Sequence, residues 1–566
     1  MIQRRSFLSL CLVLTVATAA AAAEKAALPD RLVYLQTNLL VEDNLAKALA
    51  LVERAAKAGY TGLVITDSKF DRLGELPERY AVNARALAAS VRANGMALYP
   101  VVCGVGYMGG VLAQDPDLAE GLPLKDVPFV VGDDGLAQVD ADPATKLPGG
   151  GFEGGNADRA LAWNFQDLPG VASFLDRSVK HGGEASLRMS DVGAADPQHG
   201  NCRVMREVPV SPWRQYRVTA WVRTAALERP GNARCVVLAA DGAPLSSQQW
   251  AFARDQDWTR YRLTFNSLAH ERVRLYAGCW QGGSGSIWWD DLAIEEVGIL
   301  NLLRRPGAPL TVQRGDGTAL VEGRDLEAVS DPACGRTPWP GAYEVDHDPP
   351  ALRVQDRATL PAGTRLLVSG YHAVIDVEGS VACCLAEPRV LALMRDQVRA
   401  VRDLLRPDGY FLGHDEIRQA GWCAACSGRP PGETLAAHMR DCLAMVRAEA
   451  PGARLFCWSD MFDPTHNAVK GFYRVNGDLA GSWKGLDPDV VVVNWNSGAQ
   501  RAESMAFFAG HGHRQILAGY YDGDPASISA WLGDVPARTP ISGVMYTTWA
   551  ANYDALEAFL RSAAGD

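Results

Sequence analysis

The sequence has no excess of positive charge, since 55 lysines and arginines stand against 66 aspartates and glutamates in 566 residues, a net charge of −11. Proteins that bind nucleic-acid phosphates or anionic membranes are usually basic, so both classes are disfavoured. After the first two dozen residues, no apolar run approaches the roughly 18 residues that a membrane span requires. We therefore expect a neutral or cationic ligand, no nucleic acid, and no membrane span in the mature protein.

Two common catalytic signatures are also missing. No glycine-rich phosphate loop follows a predicted strand, which argues against a doubly wound nucleotide-binding sheet. No His-Glu-x-x-His is present, and the one His-x-His, His511-Gly512-His513, precedes a predicted strand rather than following it. We expect no cofactor and no catalytic metal.

The first 23 residues resemble an export signal. Arg4 and Arg5 precede an apolar run from Phe7 to Ala17, and a run of small residues, Ala19 to Ala23, then ends at Glu24. The stretch Arg4-Arg5-Ser6-Phe7 is similar to a twin-arginine signal, and an ordinary secretory signal is the alternative. Either one predicts a periplasmic or extracellular protein.

The remaining chain is 48% apolar and 21% charged, which is enough to build a large core. Short apolar strands alternate with helical patterns in both terminal parts. We predict eight strands, at 32–35, 62–66, 96–102, 409–413, 454–458, 490–494, 515–519 and 541–547. Eight such strands predict an α/β fold, a (β/α)8 TIM barrel in two parts, at 24–147 and 365–566. The run 365–369 is a further candidate strand, so the count is uncertain by one.

The middle of the chain has a different pattern. Residues 148–297 show short alternating runs separated by Gly, Pro, Asp and Asn, which predicts an inserted all-β jelly-roll sandwich. Its Gly151-Phe152-Glu153 start and Trp289-Asp290-Asp291 end resemble those of carbohydrate-binding modules. Residues 298–364 are predicted to be a β-rich connecting segment.

Eleven cysteines remain after residue 23, an odd number with no regular framework. Cys423 and Cys426 have the spacing of metal ligands, but alone they supply half of a four-cysteine zinc site. A local disulfide, a metal and inert thiols all remain open for this pair.

In a parallel barrel the active site lies at the carboxyl ends of the strands. Aromatic rings, carboxylates and amides cluster at these predicted ends. Sugars stack their apolar faces on aromatic rings and hydrogen-bond to carboxylates and amides, so this composition suits a glycan substrate. The candidate binding residues are Asp67, His372, His414, Trp458, Asp460, Asn494, Trp495, Tyr520, Tyr521, Asp522 and Trp549.

The most specific segment is Gly413-His414-Asp415-Glu416, directly after the predicted strand 409–413. It resembles the Gly-x-Asp-Glu signature on strand four of the family 20 β-N-acetylhexosaminidases, which supplies both catalytic carboxylates. His414 departs from the small residue usual there, so a related family is also compatible. The resemblance implies a hydrolase of N-acetylhexosamine glycans, in which Glu416 is the acid and Asp415 orients the substrate's acetamido nucleophile. Together with the predicted export signal, this predicts an exported enzyme. Gly413 would let the chain turn so that both carboxylates face the substrate.

Three alternatives stay open. The barrel could be a glycan-binding protein without activity, or a retaining glycosidase acting on a sugar without an acetamido group. It could also be a metal-dependent hydrolase using His414, Asp415, Asp460 and Asp522 as ligands. The sequence does not indicate an oligomeric state.

Overall fold

The computed structural model describes residues 28–107 and 109–565. The predicted export signal, 1–23, lies outside this part of the chain. Within the described residues, none of the helices combines the length and apolar character needed to cross a membrane.

The strands found in the described residues are numbered β1 to β25 in chain order. They are Asp30–Gln36, Gly62–Thr66, Ala97–Val102, Gly121–Val131, Leu136–Val139, Phe165–Gln166, Ser173–Asp176, Ser186–Ser190, Cys202–Pro209, Gln215–Ala225, Ala233–Ala239, Gln256–Asn266, Arg272–Cys279, Ser286–Glu296, Thr311–Arg314, Ala319–Leu320, Leu352–Arg353, Arg365–Ala373, Gly409–Leu412, Gln419–Ala420, Arg454–Trp458, Arg474–Val475, Val491–Asn494, Gln515–Tyr520 and Ile541–Thr547.

The α-helices of the same residues are numbered α1 to α9. They are Glu42–Ala58, Glu78–Ala93, Gly109–Gln114, Val192–Ala195, Pro388–Leu405, Pro431–Glu449, Arg501–Gly510, Ser527–Gly533 and Leu556–Ala564. Short 3-10 helices lie at Ser68–Glu75, Pro116–Leu118, Pro230–Asn232, Val377–Gly379, Asp460–Phe462 and Ser482–Gly485.

Eight parallel strands close into a barrel in the order β1, β2, β3, β19, β21, β23, β24, β25. Successive side chains of a strand point to opposite faces, and the burial follows this alternation. Leu32 and Tyr34 pack inside the barrel with Phe411 and Phe456. Their neighbour Val33 packs instead against the helices outside, in a much larger core. The barrel is therefore filled with side chains and all eight carboxyl ends lie on one rim.

The eight strands lie at the predicted positions, but the predicted fold class, a regular (β/α)8 TIM barrel interrupted by one jelly-roll sandwich, is wrong. The described residues have more strand (30%) than helix (24%), and the sheet order differs from that arrangement. Residues 459–490, all of them described, connect β21 to β23 without an α-helix. Left-handed glycines at 471, 477 and 481 interrupt that segment, which explains why no helix forms there.

The chain between β3 and α5 forms three sheets rather than one sandwich. A five-stranded sheet (β12, β10, β14, β8, β7) packs on a four-stranded one (β11, β13, β9, β6), and the two share a core of their own. A third, six-stranded sheet has the order β16, β15, β18, β4, β5, β17. The candidate barrel strand 365–369 belongs to β18, which pairs with β4 and β15. The predicted domain boundaries stay predictions.

The sandwich is held against the barrel loops by polar and aromatic contacts. Arg474, in β22, is buried and donates hydrogen bonds to Asp376 and to Ser247 of the sandwich, the latter at 2.6 Å. Ser247 also donates to Asp376. Elsewhere the ring of Trp213 lies 6.3 Å from the ring of Trp422, edge to face. The sandwich is thus docked through side-chain contacts and not only tethered by a linker.

We predict that residues 148–297 fold when excised, because the apolar core of the sandwich is formed within this range. Circular dichroism of the isolated fragment should show a strand-rich spectrum and one cooperative thermal transition. A fragment that lacks a transition, or that aggregates as expressed, would show that the sandwich depends on the barrel.

Candidate active site at the carboxyl ends of the barrel strands

Asp415 and Glu416 lie in the loop that leaves β19. The turn does not use Gly413 as expected, because the left-handed residue of this loop is Glu416, with φ of 47°. The glycine that the loop requires is Gly106, at the carboxyl end of β3, where an added Cβ would lie 2.3 Å from the carbonyl oxygen of Asp415. Close contact between the two loops therefore fixes the backbone that carries both carboxylates.

Glu416 is bound by a cation and a phenol. Its Oε2 lies 2.6 Å from Nη2 of Arg418, and it also accepts a hydrogen bond from the hydroxyl of Tyr107. Arg418 is itself buried, donates to the Tyr107 oxygen at 2.9 Å, and lies over the rings of Tyr107 and Tyr473. Charge-assisted hydrogen bonds of this kind hold a carboxylate in one position.

Asp415 has a different environment. Burial, and after it the nearby charge of Asp460, raise the pKa of its carboxyl to about 7. Asp460 is fully buried, and burial raises its pKa as well. Its Oδ2 accepts hydrogen bonds from the backbone N–H of Glu416 at 2.9 Å and from the amide of Asn467 at 3.0 Å. The site thus has one carboxyl that is readily protonated near neutral pH beside one that is ion-paired.

Aromatic rings form a continuous path along the rim. Tyr34 meets Trp549 at 5.5 Å between ring centroids, Trp549 meets Tyr521 at 6.2 Å, and Tyr521 meets Trp495 at 6.4 Å. The ring of His466 then lies 4.3 Å from Trp495, edge to face. Trp549 is 53% exposed, so its indole is available to a ligand. These five rings come from the ends of five different strands or their loops, next to the carboxylates.

Three predicted polar residues have their side chains committed to the protein. Asp67 accepts the N–H groups of Leu39 and Lys69 and the hydroxyl of Tyr80. Asn494 donates to Ser504 and Gln515 behind the strand. Asp522 accepts from Thr548 and from the backbone N–H groups of residues 549 and 550, so it shapes the loop after β25. Their hydrogen bonds are made within the protein, and their part in substrate binding stays a prediction.

Both predicted histidines lie away from the rim surface. His372 is fully buried in β18 of the six-stranded sheet, where its Nε2 lies 2.9 Å from Asn266. His414 is fully buried too, with its ring 5.4 Å from that of His438. In each case a strand end that looked exposed in the sequence is covered by another element. The part of both histidines in substrate binding stays a prediction.

Two predicted aromatic residues belong to the cores. Trp458 is 3% exposed and packs inside the barrel against Phe411, at 4.9 Å. Tyr520 stacks on Tyr546 at 4.4 Å on the helix side of the barrel. Trp458 lies beneath the aromatic rings of the rim, because its other ring neighbour is Tyr34, at 5.8 Å, which packs inside the barrel and contacts Trp549.

Several site residues were missed by the sequence interpretation. Tyr107 follows β3, and no candidate site residue was sought at the carboxyl end of that strand. Arg418 follows Glu416 by two residues, a spacing that would place it beside the carboxylate in an irregular loop. Tyr34 and His466 carried no motif, and their position became evident only from the closed barrel.

Comparisons with known proteins give no family. No protein-family model and no curated protein matches the chain. Among solved structures, the chain is similar to a rhamnosidase from Novosphingobium sp. PP1Y, with 10% identity over 92% of this chain and 55% of the other, and a TM-score of 0.29. It is also similar to the tandem family 20 catalytic modules of a pneumococcal exo-β-D-N-acetylglucosaminidase, with 13% identity, 32% and 49% coverage, and a TM-score of 0.21.

The chain is also similar to the xylan-binding family 22 module of a Paenibacillus barcinonensis protein, with 15% identity over 28% of this chain and 96% of the other, and a TM-score of 0.21. Glycoside hydrolases and carbohydrate-binding modules are thus both among the similar structures. All three TM-scores are too low to carry a conclusion about activity.

We predict that Asp415→Asn stabilises the protein at pH 8. Because the folded-state pKa of about 7 lies above the ordinary 3.8, the ionised carboxylate destabilises the fold fully above pH 7. This cost falls as pH decreases and disappears below pH 4. We expect a gain of about 2 kcal/mol at pH 8, allowing for partial exposure, and none at pH 4.

Thermal unfolding at the two pH values measures this effect. Asp396→Asn is the matched control, because the Asp396 side chain is 72% exposed on α5. It should change the melting temperature little at either pH. A destabilised Asp415→Asn at pH 8 would contradict the assigned environment of this carboxyl.

Proposed function

We propose that the protein is a glycoside hydrolase whose reaction takes place at Asp415 and Glu416. The observation that supports this most directly is the difference between the two carboxyls. Asp415 has a pKa raised to about 7, while Glu416 forms an ion pair with Arg418. Hydrolysis of a glycosidic bond requires such a pair, a proton donor and a carboxylate.

The contacts favour Asp415 as the acid. A carboxyl with a pKa near 7 is largely protonated just below neutral pH and can deliver its proton to the leaving oxygen. Glu416, held by Arg418 and Tyr107, is then the carboxylate that attacks the anomeric carbon or activates water. The resemblance to the family 20 enzymes implies the opposite roles, with Glu416 as acid and Asp415 as the orienter of a 2-acetamido group. The two assignments predict different behaviour of the two variants.

The aromatic rim supports a sugar substrate. Trp549 exposes about half of its surface beside Tyr521, and Trp495 continues the same path. The apolar face of a pyranose can stack on such rings, and its hydroxyls can form hydrogen bonds with the neighbouring polar side chains. N-Acetylhexosamine glycosides are the first substrates to test, because of the Gly-x-Asp-Glu resemblance. We also propose that the chain acts outside the cytoplasm, on the basis of residues 1–23.

We predict that Asp415→Asn lowers the rate of hydrolysis of an unactivated glycan by a factor of about 10² to 10⁴, and that the rate on an aryl glycoside with a good leaving group falls least.

Glu416→Gln should lower the rate for every leaving group, and added azide should restore turnover by forming a glycosyl azide. The parental activity should fall as pH rises through about 7, since Asp415 must be protonated. Steady-state rates of the parental protein and of both variants, on aryl glycosides with and without a 2-acetamido group, measure these effects.

Asp396→Asn should keep the parental rates. If Glu416→Gln spares activated substrates and only 2-acetamido glycosides are cleaved, the roles are those of the family 20 enzymes. Parental rates in both carboxylate variants would refute the proposed site. An inactive parental protein that still binds glycans would favour a non-catalytic barrel.

A second proposal, glycan binding by the sandwich, is supported by a surface cavity of about 820 Å³. The cavity lies on the sandwich and not at Asp415. It is lined by an indole and by polar groups, among them His199, Asn201, Glu228, Arg234 and Trp280. Two other tryptophans of the sandwich do not line this cavity, since Trp250 is buried and Trp163 stacks on Phe152.

We predict that Trp280→Ala weakens retention of the protein on affinity gels containing polysaccharide at least tenfold. Trp258→Ala is the control, since Trp258 packs against His181 outside the cavity. No retardation of the parental protein on any of a panel of polysaccharides would refute binding by the sandwich.

A further inference from the structure

Three cysteines and one glutamate converge in the interior where the inserted sheets leave and rejoin the barrel. Sγ of Cys384 lies 3.5 Å from Sγ of Cys423 and 3.5 Å from Sγ of Cys426. Oε2 of Glu120 lies 3.5 Å from the Cys423 sulfur and 3.4 Å from the Cys426 sulfur. All four side chains are at most 1% exposed.

These distances do not fit a disulfide. Bonded sulfurs are about 2.05 Å apart, and every cysteine of the described residues is a free thiol. They do fit a tetrahedral metal site. With Zn–S of about 2.3 Å and Zn–O of about 2.1 Å, the edges of the tetrahedron are about 3.8 Å between sulfurs and about 3.6 Å between sulfur and oxygen.

The groups around the cluster already orient and neutralise it. Oε1 of Glu120 accepts the backbone N–H groups of Trp422 at 2.8 Å and Cys423 at 3.0 Å, which leaves Oε2 to face the sulfurs. The guanidinium of Arg305 lies close enough to act on Cys423 and Glu120, and it is fixed by the carbonyl oxygens of Asp117 and Ala119. Three thiolates and a carboxylate around a divalent ion leave two negative charges, of which Arg305 offsets one. Such outer contacts are typical of metal sites.

We propose that Cys384, Cys423, Cys426 and Glu120 bind one zinc ion in a closed structural site. Thiolate ligands and tetrahedral geometry select zinc over magnesium or calcium. With four protein ligands no position remains open for water, so the ion takes no part in the hydrolysis.

The site joins distant parts of the chain. Glu120 precedes β4 and Cys384 follows β18, and the chain pairs there through hydrogen bonds from Glu120 N–H to the Ala382 oxygen and from Cys384 N–H to the Leu118 oxygen. Cys423 and Cys426 lie just beyond the loop of Asp415 and Glu416. Zinc would therefore link the two ends of the insertion to the segment that follows Asp415 and Glu416.

Elemental analysis by mass spectrometry of the full chain, purified with a phosphine reductant and no chelator, tests this. We expect one zinc per chain. Cys384→Ser and Cys426→Ser should each lose at least four fifths of the metal. Cys235→Ser, at a buried cysteine of the sandwich, should keep it. Growth with cobalt should give the intense visible absorption of tetrahedral thiolate-bound Co²⁺.

Zinc well below one per chain in the parental protein, together with free thiols at all three positions, would overturn the proposal. So would stoichiometric iron, or a cobalt spectrum without thiolate bands. The measurements on the parental protein test the proposal even if the serine variants fail to fold. Since the metal content is read without substrate, this result is independent of the glycosidase assay.

Discussion

The pairing of β3 with β19 is the contact on which the rest of the molecule depends. Val101 and Val102 align with Phe411 and Leu412, although residues 103–408 lie between the two strands. Without this pairing the barrel is open, and the loops that carry Tyr107 and Glu416 do not meet. The entropic cost of closing so long a loop grows only slowly with its length, so a large insertion is tolerated provided that its ends are held together. The ladder at Glu120 and Cys384 holds them.

The proposed active site is built at a cost to stability. Burial raises the pKa of both Asp415 and Asp460, which means that their charged forms are disfavoured in the folded protein. Oδ1 of Asp460 has no hydrogen-bond partner in the described residues, and Glu416 adopts a left-handed backbone. Strain and unpaired polar groups of this kind are concentrated at functional sites and are compensated by packing elsewhere. Here the filled barrel and the helices around it provide that packing.

Local pattern in the sequence was enough to find the strands and the Asp415-Glu416 pair, because period-two burial and the step from strand to polar loop are encoded by neighbouring residues. Local pattern did not reveal which strand ends are buried beneath other secondary-structure elements. His372 and Asn494 follow apolar runs as a binding residue would, yet their side chains are enclosed by other elements. The cysteine cluster was equally hidden, since Cys384 lies 39 residues and Glu120 303 residues from Cys423 in the sequence. Only the closed fold brings these groups together.

The docking of the sandwich has a mechanical consequence. Ser247 is held between Asp376 and Arg474, and Trp213 lies against Trp422, so two loops of the barrel bear directly on the sandwich. A flexible tether would raise the local concentration of any captured polymer without fixing its direction. A docked body instead sets a constant distance and angle between its surface and the barrel rim. A polysaccharide bound on the sandwich, as proposed, would then reach the rim only at certain chain lengths.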